Sequence, residues 1–147
     1  MQQRFDVGAV APDGFQAMLG VHHYVDHCGV ALRLLELVRL RVSQLNGCAF
    51  CLGMHAPLAR RHGVSEQELT LLPAWREAPL FSAGERAALA WAEALTQLTP
   101  HGVPDAVYAE MQAQFSAKEI ADVSFAVAEI NAWNRLMAAS RTPPQAG

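Results

Sequence analysis

The stretch NGCAFCLGMH, from Asn46 to His55, holds two cysteines three residues apart and a histidine four residues after the second. Residues three or four apart share a helix face, so Cys48 and Cys51 are close enough to form a disulfide and His55 lies over Cys51. The Asn46-Gly47 break places Cys48 in a first helical turn, where unpaired N–H groups favour a thiolate. This arrangement suits thiol–disulfide exchange, in which one sulfur attacks and the other resolves.

Glu36 is the acidic residue that the preceding helix offers to this site. It lies in the apolar run LRLLELVRLRV, where burial would raise its carboxyl pKa towards the range useful for proton transfer. At a rise of ~1.5 Å per residue, Glu36 lies about 15 Å from Asn46 along its helix and His55 about 13 Å along the next one. Two antiparallel helices therefore bring the carboxyl and the imidazole level. The alternative is an ion pair of Glu36 with Arg33 or Arg39, each three residues away.

Two other interpretations of the cysteine pair compete with redox chemistry. In the first, the two cysteines are small buried hydrophobic residues and the histidine is packed beside them without a chemical role. A zinc ion is a further option, with His55 or His62 as a third ligand. No second CxxC or paired-histidine motif completes a structural zinc site. We therefore expect neither a metal nor an organic cofactor.

A second histidine-rich segment, HHYVDHC, precedes the Glu36 helix, and the sequence leaves its role open. His23 and His27 share a helix face, so a metal pair is conceivable, although polar histidines at a helix end are more common. Cys28 is predicted to be a buried residue without a redox role, and Tyr24 to line the pocket. The remaining histidine of the segment is His22.

Helix signals dominate the chain, and no alternating run of β-branched residues competes with them. Three capping boxes, in which a serine precedes a glutamate by three residues, mark helix starts at Ser65, Ser82 and Ser116. We predict an all-α, single-domain bundle over residues 1–147 with about six or seven helices. Their predicted ranges are 14–27, 30–45, 48–62, 65–72, 82–98, 104–114 and 116–139. The tail, 141–147, is predicted to be flexible.

Size and charge narrow the possible functions. A chain of 147 residues fits one domain, and its net charge of −3 leaves only the pair Arg60–Arg61 as a basic patch, so nucleic acid is not an expected partner. The longest stretch without charged residues, 42–59, contains polar side chains and does not predict a membrane span. We expect a cytoplasmic protein, in which thiols stay reduced and a CxxC is reactive. Hydrophobic residues make up 52% before glycine is counted, against ~45–50% with glycine in typical domains, which favours an oligomer.

The four residues Glu36, Cys48, Cys51 and His55, spaced E-x11-C-x2-C-x3-H, resemble the core motif of the alkyl hydroperoxidase D (AhpD)-like proteins of the carboxymuconolactone decarboxylase superfamily. The resemblance covers residues 34–69 and resumes in INAWNR, residues 130–135. Within INAWNR, the polar side chains are predicted to cap loops or to bridge subunits; they are Asn131, Asn134 and Arg135.

The resemblance implies an antioxidant thiol peroxidase that reduces organic hydroperoxides, forms a homotrimer or homohexamer, and takes electrons from a dithiol or lipoyl-type donor. Cys51 would attack the peroxide, Cys48 would close the disulfide, and Glu36 and His55 would relay the proton. The best-studied relatives carry a second histidine where this chain has Phe50, which implies a shorter relay. Two alternatives stay open: a lactone decarboxylase-type enzyme on the same fold, and a non-enzymatic redox-sensing oligomer.

Overall fold

Residues 2–144 are described in the computed structural model, and they form a helical bundle without strands. The predicted all-α fold is confirmed, and each of the seven predicted helices is present with ends shifted by at most two residues. The part of the predicted flexible tail at 145–147 lies outside the described residues. The helices in chain order are α1 (Val7–Val10), α2 (Pro12–Asp26), α3 (Leu32–Asn46), α4 (Ala49–Arg61), α5 (Glu66–Leu71), α6 (Ala83–Thr96), α7 (Asp105–Gln114) and α8 (Ala117–Ser140), with a 3-10 turn at Leu72–Ala74.

The one helix that the sequence did not predict, α1, is a single turn. It has no room for the apolar periodicity that identifies longer helices. Its start is stabilised by the Asp6 carboxylate, which accepts a hydrogen bond from the Ala9 N–H. The described residues therefore contain eight α-helices, slightly more than expected.

Serine-glutamate capping boxes begin three of the helices, as predicted. In each, the serine hydroxyl accepts from the backbone N–H three residues on, and the glutamate carboxylate accepts from the serine N–H. The boxes supply partners for N–H groups that have none within the helix. The serines are Ser65 for α5, Ser82 for α6 and Ser116 for α8.

Helix α3 lies at the centre of the bundle, in contact with α4, α6 and α8. Every residue from Leu34 to Leu40 is buried, because neighbouring helices cover α3 on all sides. Two of these residues, Glu36 and Arg39, are charged. Buried charges are costly unless they are paired, so partners for both must come from the surrounding helices.

The corner between α3 and α4 is held by hydrogen bonds to α8. Gly47 ends α3 with φ 65°, a left-handed conformation that disfavours any residue with a Cβ. The Asn46 side-chain amide donates to the side-chain oxygens of Asn134 at 2.9 Å and Asn131 at 3.0 Å. The Asn134 amide in turn donates to the Ser43 hydroxyl at 3.1 Å. These asparagines thus fix the corner that presents the cysteines, while a subunit contact at INAWNR stays a prediction.

None of the helices within residues 2–144 combines the length and apolarity that a membrane crossing requires.

Candidate active site

Cys48 and Cys51 form a disulfide, with their Cα atoms 5.4 Å apart. Cys48 is the N-cap of α4, and its sulfur accepts a hydrogen bond from the Cys51 N–H at 3.3 Å. Cys51 is fully buried and Cys48 is 6% exposed. The predicted closeness of the two sulfurs at the start of a helix is confirmed. The third cysteine, Cys28, is a half-buried free thiol.

Glu36 and His55 meet as the helical rise predicts. The His55 Nδ1 lies 2.7 Å from a Glu36 carboxylate oxygen, and both side chains are almost completely buried. An ionised carboxylate only accepts hydrogen bonds, so the ring nitrogen donates. The second Glu36 oxygen accepts from Arg39 at 2.9 Å, so this predicted ion pair is present as well. Arg33 instead binds carboxylates of two other helices.

The expected rise in the pKa of Glu36 is wrong. Burial alone would raise the pKa of this carboxyl, but the hydrogen bond and charge of His55, together with the charge of Arg39, hold it below its ordinary value. The sequence had placed both His55 and Arg39 near Glu36, but the expectation for the pKa rested on the apolar neighbours on α3 alone. Glu36 is therefore an anion at neutral pH, and its carboxylate accepts the hydrogen bond of the His55 ring.

Arg39 connects this pair to a second group of charges that the sequence did not predict. Its guanidinium contacts Asp26 of α2 at 2.7 Å and Glu129 of α8 at 3.2 Å, in addition to Glu36. The other Glu129 carboxylate oxygen contacts the Nδ1 of His22. In the sequence, the one sign of this second group of charges is Glu129, a lone charged residue within the apolar run of α8. Glu129 is 107 residues from its histidine partner, so no local pattern could identify the pair.

An apolar cavity of about 150 Å³ opens beside Cys51. Apart from Cys51 and His22, its walls are hydrophobic side chains from α2, α4 and α8. They are Phe15, Leu19, Phe50, Met54, Trp133 and Met137. A ligand that reaches Cys51 through this cavity must therefore present an apolar group to it.

Tyr24 does not line this cavity, so that prediction is wrong. Its hydroxyl donates to Asp122 at 2.7 Å, and its ring is 45% exposed against Phe125. The helical period explains the difference: Tyr24 lies two residues beyond His22 and therefore on another face of α2.

Cys48 lies on the wall of a different cavity, of about 370 Å³, between the start of α4 and the end of α8. Its other walls include Gly47, Phe50 and Thr142. The two cysteines of the disulfide therefore line different cavities.

The remaining histidines of the α2 segment do not reach either cavity. The rings of His23 and His27 stack with centroids 4.2 Å apart, and His27 is the C-cap of α2. Among residues 2–144, no group of three or more His, Cys, Asp and Glu side chains is arranged to hold a metal ion.

Comparison with known proteins agrees with this architecture. The model of the carboxymuconolactone decarboxylase family matches residues 12–94. The uncharacterized protein YdfG of Bacillus subtilis (strain 168) is 35% identical over 136 residues, 92% of each protein. A solved structure from Agrobacterium tumefaciens, of a protein of unknown function with the provisional name antioxidant defence protein AhpD, shares 36% identity with a TM-score of 0.95. That alignment covers 99% of this chain and 100% of the other.

The debrominase Bmp8 is similar in fold alone, with 21% identity, a TM-score of 0.82 and coverage of 94% of this chain and 74% of that one. Proteins of this fold thus carry more than one activity. The family match over more than half of the chain and the nearly complete overlap with AhpD-like structures agree with the CxxC geometry. The chain belongs to the carboxymuconolactone decarboxylase family, as an AhpD-like member.

Proposed function

We propose that the protein is a thiol-dependent peroxidase that reduces organic hydroperoxides through the Cys48–Cys51 pair. The observation that carries the proposal is the position of Cys51. It is bonded to a resolving partner, it lies on the wall of an apolar cavity, and it is one helical turn from the buried Glu36–His55 pair. A reactive thiol, a binding space and a proton-handling pair are thereby brought together.

The cycle begins with the reduced pair. The Cys51 thiolate attacks the terminal peroxide oxygen, the O–O bond breaks, and the products are a Cys51 sulfenic acid and an alcohol. The Cys48 thiol then attacks the Cys51 sulfur, which releases water and forms the disulfide. A dithiol donor, of lipoyl or similar type, returns the pair to two thiols and is itself oxidised to a disulfide.

Buried charges support the attacking thiolate. His55 lies four residues after Cys51 on the same helix face and has its Nδ1 fixed by Glu36, so its Nε2 is the nitrogen left to receive the thiol proton. The start of α4 adds the partial positive charge of its unpaired N–H groups. Arg39 holds the Glu36 carboxylate in place at 2.9 Å.

The position of Cys48 supports the reductive half of the cycle. The residue Cys48 is 6% exposed, whereas Cys51 is fully buried. Cys48 also lies on the larger cavity of about 370 Å³. A donor thiol that enters there meets Cys48 first, which leaves Cys51 as the departing sulfur and regenerates the thiolate that attacks peroxide.

Lactone decarboxylation has less support in this site. A carboxylated lactone brings a negative charge, and the buried guanidinium of Arg39 is not free to bind it because three carboxylates already surround it. The walls of the Cys51 cavity are otherwise almost entirely apolar. The homo-oligomeric state and the cytoplasmic location stay predictions.

The test is a single turnover in a Cys28→Ser background, which leaves two thiols to count. The reduced protein is mixed with one equivalent of cumene hydroperoxide, and free thiols are counted over time. We expect both thiols to disappear, at a rate well above that of free cysteine.

Single substitutions assign the two roles in the same assay. Cys48→Ser should accumulate a sulfenic acid at Cys51, identified by dimedone labelling and peptide mass. Cys51→Ser should leave Cys48 unreacted. Oxidation no faster than free cysteine, or full turnover of a carboxylactone by the double serine variant, would refute the peroxidase proposal.

A further inference from the structure

His22 and Glu129 form a second histidine–carboxylate pair, separate from Glu36 and His55. The Nδ1 of His22 contacts a Glu129 oxygen, and Glu129 is 2% exposed. Arg39 contacts the carboxylates of both pairs, at 2.9 Å for Glu36 and 3.2 Å for Glu129. The two imidazoles are therefore held in fixed orientations by one shared network.

The two histidines, His55 and His22, differ in their exposure and in whether they border the cavity. His55 is buried within the bundle, whereas His22 is 29% exposed and forms part of the cavity wall that also contains Cys51. The rest of that wall carries no side chain that exchanges protons near neutral pH. A ligand in the cavity therefore meets one thiol and one imidazole.

The surroundings of His22 favour the protonated form of its ring. The hydrogen bond to Glu129 raises the pKa of His22 above its ordinary value, against the opposing effect of burial. Asp26 also raises the pKa from 3.3 Å, and Arg39, 3.4 Å from the Nδ1, lowers it. The His22 Nε2 lies 3.3 Å from Asp26, longer than the roughly 2.7–3.2 Å of ordinary N–H···O bonds, and the His22 side chain borders the cavity that Cys51 also borders.

We propose that His22 is the catalytic acid that protonates the oxygen leaving from the hydroperoxide when Cys51 attacks. This rests on the proposed peroxidase function. As the Cys51 sulfur bonds to the terminal oxygen and the O–O bond breaks, the departing alkoxide takes the proton from the His22 Nε2 and leaves as an alcohol. The neutral imidazole then regains a proton from solvent through its exposed edge.

The inference also explains how the chain functions without a histidine at position 50. Phe50 contributes an apolar wall, and His22 of α2 supplies an imidazole to the same cavity. Because the remaining walls are apolar, the preferred substrates are small hydroperoxides whose organic group is uncharged. An alkoxide is a strong base, so its departure depends on a proton donor, whereas a carboxylate leaves readily without one.

That difference provides the test. His22→Gln keeps a hydrogen-bonding side chain towards Glu129 but cannot release a proton. The oxidation of Cys51 is followed by stopped-flow tryptophan fluorescence, since Trp133 lies on the same cavity wall. Two oxidants are compared: cumene hydroperoxide, with an alkoxide leaving group, and peracetic acid, with a carboxylate leaving group. His23→Gln, at the exposed neighbouring position, is the matched control.

For His22→Gln we expect a loss of roughly 100-fold with cumene hydroperoxide and no more than about 3-fold with peracetic acid. The wild-type rate with cumene hydroperoxide should fall at alkaline pH as His22 loses its proton, and the variant should lack this decline. His23→Gln should match the wild type with both oxidants.

Equal losses with the two oxidants would show that His22 acts on folding or on the thiolate, and would overturn the proposal, as would the absence of any loss. If the wild-type protein reacts with neither oxidant faster than free cysteine does, the peroxidase function fails, and this role of His22 with it. A melting temperature for each variant separates loss of fold from loss of chemistry.

Discussion

Replacement of Arg39 tests whether the buried charges form one interdependent network. Arg39 is 1% exposed and is the cation shared by Glu36, Glu129 and Asp26. Arg39→Met keeps much of the volume and removes the charge, which leaves two carboxylates that are each 2% exposed without their guanidinium. Removal of one partner from a buried ion pair costs about 3–5 kcal/mol.

That loss is large for a domain of this size. The total free energy of unfolding of a globular domain is roughly 5–15 kcal/mol, so the variant should lose about a fifth or more of it. The melting temperature should fall by roughly 6–20 °C, at about 2–4 °C per kcal/mol. Urea unfolding followed by tryptophan fluorescence measures the change, with the disulfide intact in every sample and at two protein concentrations.

Arg33→Met is the matched control, because Arg33 lies on the same helix and also binds two carboxylates. Its side chain is 29% exposed, so water replaces the lost contacts and the cost should be about 1 kcal/mol or less. A loss for Arg39→Met no larger than that for Arg33→Met would refute the buried network.

The pH dependence of the Arg39→Met deficit provides a further check. The pKa of Glu36 lies below its ordinary value in the folded protein, so its stabilising contribution is present above that ordinary value and is lost as the pH falls through the folded pKa. The variant lacks one of the two partners, His55 and Arg39, that hold this pKa down. The difference in unfolding free energy between wild type and Arg39→Met should therefore be largest near neutral pH and shrink in acid.

Three other substitutions test separate parts of the site. Glu36→Gln should slow the reaction of Cys51 with cumene hydroperoxide by about 100-fold, since it removes the anion that orients the adjacent imidazole. The pH profile for alkylation of Cys51 should shift as well, and an unchanged profile would contradict the relay. His22→Gln should lower stability more at pH 6 than at pH 9. The pKa of His22 is raised in the folded protein, so its stabilising contribution is present below the ordinary histidine pKa and is lost as the pH rises through the pKa of the folded state. Urea titrations at both pH values measure this. Gly47→Ala, at φ 65°, should lower the free energy of unfolding by about 1 kcal/mol. Its control, Gly20→Ala inside α2, has no atom within 4 Å of the added Cβ and should raise that free energy by about 0.5–1 kcal/mol. The same sign for both substitutions would contradict the backbone argument.

Local features of the sequence predicted most of the helices and half of the site. The serine-glutamate boxes mark helix starts because the partners they join are three residues apart. The spacing of Cys48, Cys51 and His55 follows from the helical period, and the level of Glu36 follows from the rise per residue. Each of these relations lies within one helix or across one tight corner, where regular geometry allows distance to be calculated from residue number.

The tertiary structure determined most of the contacts between charged side chains around the cysteine site. The sequence shows Glu36 among leucines, which predicts a raised pKa, but its contacts with His55 of α4 and with Arg39 on its own helix reverse the sign in the folded protein. It also shows His22 and Glu129 as unrelated residues 107 positions apart, and only the packing of α2 against α8 makes them a pair at the Cys51 cavity. The physical reason is that burial and charge act through space. The partners of a buried ionised group come from whichever helices surround it, and their identity is not encoded in its neighbours along the chain.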